Sequence, residues 1–259
     1  MITIKSPEEI KIMTEGGKIL AEIMEELQKM VRPGVKTKEI DKAAEDLVLK
    51  YGAKCSFKDF RSPEDEINIP YPSCLCTSIN EEIVHAIPSE RVLKEGDIIS
   101  LDLGIFFKGF HSDMALTIPI GKVDSEAGRL IRITRKSLKR ALKKVVPGKR
   151  IGAIGNTIQK YVESQGFNVV RELCGHGIGK ELHEDPQIMN FGKEGQGEKI
   201  KEGMVLCLEP MVTIGDYRIK KGKDGFGYIT QDGSLSAHFE HTVVVTKNGP
   251  RVITSLSKE

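Results

Sequence analysis

The sequence predicts an α+β fold made of two similar halves, about residues 1–121 and 122–259, which together form one domain. Each half begins with a pair of amphipathic helical segments and continues with short β-type runs bounded by glycine, proline or charged residues. This repeated order predicts helices that back a mainly antiparallel sheet, with a cleft between two lobes. A chain of 259 residues, 39% of them hydrophobic, also has enough apolar surface for one core without disulfide bonds.

In the first half, Ser6 begins a capping box with a proline at the first helical position, and the spacing of apolar residues predicts a helix of about 25 residues. A second helix is predicted from an N-cap at Thr37 to Gly52. The proline-containing segment 53–72 indicates a loop. The runs CLCTSI, DIISLDLGIFF and MALTIPI that follow it indicate strands.

In the second half, helices are predicted over about 125–146 and 151–165, each ended by a glycine or a Pro-Gly pair. Strands are predicted in FNVVREL, MVLCLEPMVTI and GYITQ. A hairpin is predicted in HTVVVTKNGPRVIT, because an Asn-Gly pair suits its tight turn.

Charge, apolar patterning and cysteine content exclude several classes of protein. Thirty-nine basic and 37 acidic side chains leave a net charge of +2, which argues against a dedicated nucleic-acid or specific DNA binder. The apolar runs are far shorter than the ~18 residues of a membrane span, and the opening MITIKSPEEIK is unlike a signal peptide. Five cysteines without C-x-x-C spacing predict reduced thiols and a cytoplasmic location. Cys74 and Cys76 are too close together to indicate a structural zinc site.

The predicted helix 125–146 is strongly basic. A solvated helix face explains this charge, and an acidic partner such as RNA is the alternative. Aromatic residues, which single-stranded RNA recognition would favour, do not alternate with the charges. The basic residues are Arg129, Arg132, Arg135, Lys136, Lys139, Arg140, Lys143 and Lys144.

Four carboxylates lie in apolar, strand-like contexts. Asp102 lies within IISLDL, Glu209 follows VLCL, Glu240 begins EHTVVV, and Asp113 precedes MALTI. A lone buried carboxylate is costly, and several buried together repel one another. Two divalent cations would balance four such charges, whereas a salt bridge or hydrogen bond is the alternative for each carboxylate taken alone.

Two histidines lie in glycine-rich or acidic surroundings. His176 lies in CGHGIG, where the glycines let another group approach the imidazole, although a simple turn is the alternative interpretation. His183 begins HEDP. The helical zinc-protease motif H-E-x-x-H is absent from the sequence.

Seven motifs occur in an order and spacing that identify a resemblance to a known family. They are NEEIVH (80–85), LDL (101–103), GFHSD (109–113), CGHGIG (174–179), HEDP (183–186), LEPMV (208–212) and SLSAHFEHT (234–242). They resemble those of the methionine aminopeptidases, and the similarity covers nearly the whole chain. The resemblance implies the creatinase-like pita-bread fold, in which two pseudo-symmetric halves place helices behind a curved, mainly antiparallel sheet.

The resemblance also implies a dinuclear metal site. Asp113 and Glu240 would bridge two divalent cations, Asp102 would hold one of them, and His176 with Glu209 would hold the other. Carboxylate-rich ligation with one imidazole suits Co²⁺, Mn²⁺, Fe²⁺ or Zn²⁺, and the sequence does not select among them.

By the same resemblance, two histidines would flank the scissile peptide bond. His85 would contact its nitrogen side and His183 its carbonyl oxygen. Water or hydroxide between the cations would attack, with Glu209 as the proton shuttle. A purely structural role is the alternative for His85.

The family pattern also implies a methionine side-chain pocket lined by Tyr71, Cys76 and Phe226. Relatives often have tryptophan at the position of Phe226 and phenylalanine at that of Leu182, so the rim of the pocket departs from the family. His238 shares the strand of Glu240 and is a weak candidate for a further ligand.

The expected activity is removal of the initiator methionine from nascent proteins with a small second residue. The short separation of Glu209 and Glu240 leaves no room for the helical insertion of type 2 members, so the resemblance is to type 1. A monomer is implied. One rival is an X-Pro aminopeptidase or prolidase of the same fold, and the other is a non-catalytic member that contacts ribosomes or RNA through helix 125–146.

Overall fold

The structure is a computed structural model that describes residues 2–61 and 69–256. Within this part of the chain it contains four helices, in the places that the sequence predicts. They are α1 (Pro7–Met30), α2 (Thr37–Lys50), α3 (Ser125–Leu142) and α4 (Gly152–Ser164). Thr37 is the first residue of α2 and not its N-cap. Its hydroxyl bonds the backbone of Ser89 instead, both as donor and as acceptor.

Helix α1 begins with the predicted capping box. The Glu9 amide donates to Ser6 Oγ at 3.3 Å, and the Ser6 amide donates to the Glu9 carboxylate at 2.9 Å. Gly17 lets this helix lie close to the chain's last strand, because a Cβ there would lie 2.5 Å from the Ile253 carbonyl oxygen. The start of the chain is thereby packed against its end.

The strands are short, except for two of ten residues each. They are β1 (Lys54–Cys55), β2 (Leu75–Ile79), β3 (Glu82–Val84), β4 (Ile98–Phe107), β5 (Phe110–Pro119), β6 (Asn168–Val169), β7 (Cys174–Gly177), β8 (Glu184–Met189), β9 (Val205–Leu208), β10 (Met211–Thr213), β11 (Ile219–Lys221), β12 (Tyr228–Thr230), β13 (Ser236–His238), β14 (His241–Thr246) and β15 (Gly249–Val252). The predicted hairpin near the end of the chain is β14–β15.

All pairs between these described strands are antiparallel. In the first half β4 pairs with β1, β2 and β5, and in the second half the order is β15-β14-β9-β7-β8. Two smaller sheets have the orders β13-β10-β6 and β11-β12-β3. The second of them contains strands of both halves, since β3 belongs to the first half and β11 and β12 to the second. The predicted mixture of helices and mainly antiparallel sheet is confirmed, while the division into two repeated halves stays a prediction.

The helices cover the sheets and bury one large apolar core. Helix α1 contacts β4 and β5, α2 contacts β2, and α3 and α4 contact each other and the strands of the second half. Leu20, Met24, Leu101 and Leu206 are among the fully buried side chains of this core. No described helix is long and apolar enough to cross a bilayer.

The glycines around His176 belong to a strand and not to a turn. A Cβ on Gly175 would lie 2.3 Å from the Cys207 carbonyl oxygen, and one on Gly177 would lie 2.2 Å from that of Asp185. The two glycines therefore let β7 fit closely between β9 and β8.

The prediction that the cysteines are reduced is wrong for one pair, because Cys55 and Cys74 form a disulfide. The sequence places the two residues 19 positions apart, with nothing to indicate a pair. The fold brings their Cα atoms to 5.1 Å, a separation that suits a disulfide, because β1 and β2 pair end to end with the same edge of β4, Cys55 opposite Ile105 and Leu75 opposite Leu103. Cys55 also shows that a short strand interrupts the predicted loop 53–72, of which residues 62–68 lie outside the described part.

Candidate metal centre

Two of the predicted ligands lie on the hairpin formed by β4 and β5. Asp102 pairs with Ala115, and Asp113 pairs with Gly104, two positions along the same strand as Asp102. Residues opposite each other or two apart share a face of an antiparallel pair. The register therefore places both carboxylates on one face, as diagonal neighbours.

The other three predicted ligands come from the five-stranded sheet. His176 pairs with Cys207 in β9, Glu209 follows the end of β9, and Glu240 immediately precedes β14. The Glu240 amide donates to the Ala115 carbonyl oxygen at 2.8 Å, which ties this sheet to the β4–β5 hairpin.

Thr242 strengthens the connection between the two sheets. Its hydroxyl donates to the Asp113 carbonyl oxygen at 2.7 Å and accepts from the Asp113 amide at 2.9 Å. Backbone contacts thus fix the relative positions of Asp113 and Glu240.

The five side chains form one buried cluster. Ligand atoms of Asp102, Asp113 and Glu240 lie within 4.8 Å of one another, as do those of His176, Cys207 and Glu240. His176 Nε2 lies 3.6 Å from Glu209 Oε1. Sequence reasoning missed Cys207, which reaches the cluster through its pairing with His176 across β9 and β7.

The carboxylates are in an unfavourable electrostatic environment. Burial, followed by the neighbouring carboxylates, raises the pKa values of Asp102, Glu209 and Glu240 well above their usual range, and burial raises the pKa of Asp113 to about 7. Among the described residues, neither Asp102 Oδ1 nor Glu240 Oε1 has a hydrogen-bond partner. Divalent cations would offset both costs, so these donors fit such ions.

The imidazoles nearby are uncharged. Burial lowers the pKa of His176 to about 3 and that of His183 to about 4. His176 Nδ1 donates to the Gly177 carbonyl oxygen at 2.8 Å, which leaves Nε2 as the unprotonated nitrogen facing Glu209. A neutral imidazole held in this way is a typical metal ligand.

The two predicted substrate-contacting histidines lie near His176. The ring centroids of His183 and His176 are 4.5 Å apart, and both His183 and His85 influence the His176 pKa electrostatically. His85 has a φ of 62° just beyond β3, and its ring lies 6.0 Å from that of Tyr228. Phe60, which the sequence did not indicate, contacts the His183 ring edge-on at 5.2 Å.

The predicted pocket residues lie in a separate apolar cluster beside Asp102. The rings of Tyr71 and Phe226 meet edge-on at 5.5 Å, and Cys76 pairs with Asp102 across β2 and β4. The Tyr71 hydroxyl donates to the Ala86 carbonyl oxygen at 3.1 Å, which fixes the ring. Leu182 is buried in the same cluster.

His111 and His241, which also lie on these strands, have polar partners. His111 Nδ1 lies 2.8 Å from Ser56 Oγ, and burial lowers its pKa to about 4. His241 Nδ1 lies 3.1 Å from Thr254 Oγ1.

Comparison with known proteins identifies the family. The sequence model of metallopeptidase family M24 matches residues 11–247 of this chain. A methionine aminopeptidase of Clostridium acetobutylicum is 47% identical over 255 residues, which cover 98% of this chain and 99% of that protein. The crystal structure of a methionine aminopeptidase from Thermotoga maritima matches with a TM-score of 0.94 at 41% identity, over 98% of this chain and 100% of that one.

The X-Pro rival corresponds to a more distant structure. An Xaa-Pro dipeptidase from Bacillus anthracis matches with a TM-score of 0.77 at 25% identity, and the match covers 63% of that chain. These neighbours confirm the predicted pita-bread fold. The chain is a metal-dependent peptidase that belongs to metallopeptidase family M24 and, within it, to the methionine aminopeptidases.

Proposed function

We propose that this protein removes the N-terminal methionine of nascent polypeptides with a small second residue, in a single catalytic domain. The observation that carries the proposal is the buried cluster of Asp102, Asp113, His176, Glu209 and Glu240 next to a cluster of apolar side chains. The cluster suits hydrolysis at one end of a peptide, because the pocket holds one side chain beside the reacting groups.

These five side chains would hold two divalent cations, and Asp113 and Glu240 would contribute to both. When bound, the ions make water acidic and polarise a peptide carbonyl group. Their identity is Co²⁺, Mn²⁺, Fe²⁺ or Zn²⁺, the ions that suit carboxylates with one imidazole.

The protein's own groups orient the substrate and move the protons. His183 donates a hydrogen bond to the carbonyl oxygen of the scissile bond, and His85 contacts its nitrogen side. Glu209 accepts a proton from the attacking water and passes it to the departing amine. Burial, followed by the nearby Asp102 and Asp113, raises the pKa of Glu209, which favours its acceptance of a proton.

The methionine side chain occupies the pocket lined by Tyr71, Cys76 and Phe226. An unbranched thioether fits an apolar slot between aromatic edges, and sulfur–aromatic contacts add to its binding. Tyr71 is held by its hydrogen bond to Ala86, so the slot keeps its width.

The test is mass spectrometry of a Met-Gly-Xaa peptide with chelator-stripped protein, before and after addition of Co²⁺ or Mn²⁺, and with a Gly-Pro-Xaa peptide in parallel. Metal-dependent loss of methionine alone is expected. Cleavage of the proline peptide alone would assign the chain to the X-Pro peptidases, and no cleavage with any metal would contradict the proposal.

The same enzyme meets nascent chains in the cytoplasm, acts as a monomer and contacts the ribosome through α3. The supporting observation is a groove of about 500 Å³ lined by Lys136, Lys139, Arg140, Lys143, Lys144 and Thr157. Tyr161 of α4 lies beneath it, with Arg140 Cζ 4.4 Å from its ring centroid. The sequence did not indicate this aromatic residue, because it comes from the neighbouring helix.

Ribosome cosedimentation over a series of salt concentrations tests this contact. Lys139→Gln with Lys143→Gln is expected to weaken binding and to reduce its salt dependence, since fewer phosphate charges are neutralised. Lys29→Gln is the matched control, because Lys29 is exposed and pairs with Glu26. Equal binding by all three proteins would contradict a role for α3.

A further inference from the structure

His238 is a buried imidazole whose role the activity does not explain. It lies in β13 and is 1% exposed, and neither ring nitrogen has a hydrogen-bond partner among the described residues. A buried polar group without a hydrogen-bond partner carries a free-energy cost in the folded state. Such a cost is typical of a group that gains its partner in another state of the protein.

The backbone holds this imidazole firmly in place. Thr117 Oγ1 accepts from the His238 amide at 2.8 Å and donates to the His238 carbonyl oxygen at 2.8 Å. His238 also pairs with Met211, two residues beyond Glu209. The ring is therefore fixed beside the segment that carries Glu209.

The Glu209 carboxylate lies between two imidazoles. Its Oε1 is 3.6 Å from His176 Nε2, and its Oε2 is 3.8 Å from His238 Nε2. The Glu209 backbone is held at its carbonyl oxygen by Asn190 Nδ2 at 3.0 Å. A shift of about 1 Å by the carboxylate alone would bring Oε2 within hydrogen-bond distance of His238.

We propose that His238 is a positioning residue for Glu209. In the metal-loaded protein its Nε2–H donates to Glu209 Oε2, which leaves Oε1, on the His176 side, to bind the cation. This inference rests on the proposed function, since it takes Glu209 as a ligand and proton carrier. In this proposal His238 acts through Glu209 and is not itself a ligand.

The experiment compares the wild type with His238→Leu, His238→Gln and a control, His241→Gln, which changes a buried imidazole that already contacts Thr254. Calorimetry and the visible spectrum of Co²⁺ report metal binding, and kcat and KM are measured with Met-Gly-Xaa. The leucine variant is expected to bind one of the two ions about 10–100-fold more weakly and to lose kcat with little change in KM. The glutamine variant is expected to recover most of both, because its amide N–H donates.

Stability of the metal-free protein separates positioning from a structural role. His238→Leu is expected to unfold at the same temperature as the wild type or higher, because it removes a polar group without a partner. Should that variant fail to fold, ¹⁵N-histidine spectra of the wild type with Zn²⁺ replace it. A new, slowly exchanging His238 Nε2–H signal is expected on metal addition, and its absence would contradict the proposal.

Each outcome separates the two proposals. A leucine variant with wild-type metal affinity and kcat, or a glutamine variant as impaired as the leucine variant, would overturn the role of His238 alone. A wild type that binds no divalent ion, or does not release methionine, would overturn the proposed function itself.

Discussion

The candidate metal centre and the proposed methionine pocket lie side by side but are built differently. Asp102, Asp113 and His176 lie within paired strands, where register fixes which way each side chain points. Tyr71 and Phe226 lie on segments outside the strands, held by side-chain contacts. Glu209 and Glu240 directly adjoin strand ends and Cys76 lies in β2, so it is the aromatic part of the pocket that can change with the loops while the centre stays tied to the sheets.

The two regions also differ in what stabilises them. The centre collects carboxylates whose pKa values are raised by burial, so without cations it opposes folding. The pocket is apolar and contributes to stability by burying Tyr71 and Leu182. Metal removal is therefore expected to affect the centre and to leave the pocket intact.

Removing a shared carboxylate should have the largest effect. Asp113→Ala or Glu240→Ala is expected to lower kcat/KM at least about 1,000-fold, since several kcal/mol of transition-state stabilisation depend on the two metal cations that these carboxylates would hold. Metal content by atomic spectroscopy and peptide cleavage check this. Glu181→Ala, at an exposed position near the site, is the control, and wild-type turnover in either test variant would refute the ligand assignment.

A variant at His85 tests whether this residue belongs to the metal centre or acts on the substrate alone. His85→Ala is expected to lower kcat about 100-fold, because a positioned polar group near the reacting nitrogen is lost, while metal content stays unchanged. Kinetics and metal analysis on the same preparation measure both. Loss of a bound ion in this variant would mean that His85 belongs to the metal centre.

The pH dependence of protein stability tests the electrostatics of the candidate metal centre. Burial lowers the pKa values of four histidines, so between about pH 4 and 6.5 the unfolded chain binds histidine protons that the folded protein does not. This difference opposes that of the carboxylates, which bind more protons in the folded protein. As the pH rises above 6.5 the unfolded chain also loses its histidine protons, while the folded protein keeps protons on the four carboxylates of the centre, whose pKa values burial raises, in the case of Asp113 to about 7. The histidines are His111, His176, His183 and His238.

Metal-free protein is therefore expected to lose stability as the pH rises from 6.5 to 8, because the folded state binds more protons than the unfolded state in this range. Divalent cations should reverse this trend, since they replace the protons on the ligands. Thermal unfolding with chelator or with Mn²⁺ at three pH values measures both. A metal-free unfolding temperature that rises with pH would contradict the electrostatic account.

The sequence indicates some residues of the candidate centre more directly than others, for physical reasons. Asp102 and Glu209 stand out because a carboxylate is rare in an apolar strand, and α1 is visible from its capping box and periodicity. Phe60, Cys207 and Tyr161 acquire their neighbours only through strand register or helix packing. Long-range contacts of this kind leave no local pattern in the chain.

Loss of the disulfide between Cys55 and Cys74 is expected to have the smallest effect on catalysis. It distinguishes the pocket from the metal centre most clearly, because only the pocket should respond. The disulfide closes the segment that carries Phe60 and Tyr71, whereas the five proposed ligands lie outside that segment. Reduction should destabilise the protein by about 3 kcal/mol, because a closed loop restricts the unfolded chain. It should also raise KM a few-fold, as Tyr71 becomes less well held, with kcat and metal affinity unchanged.

Cys55→Ser and Cys74→Ser test this, with Cys174→Ser as the control for loss of a thiol outside the disulfide. Thiol titration of the denatured wild type should find three reactive cysteines, since Cys76, Cys174 and Cys207 are not disulfide-bonded. Five reactive thiols would show that the bond does not form. A fall in metal affinity with an unchanged KM would reverse the comparison, because the loop would then support the metal centre and not the pocket.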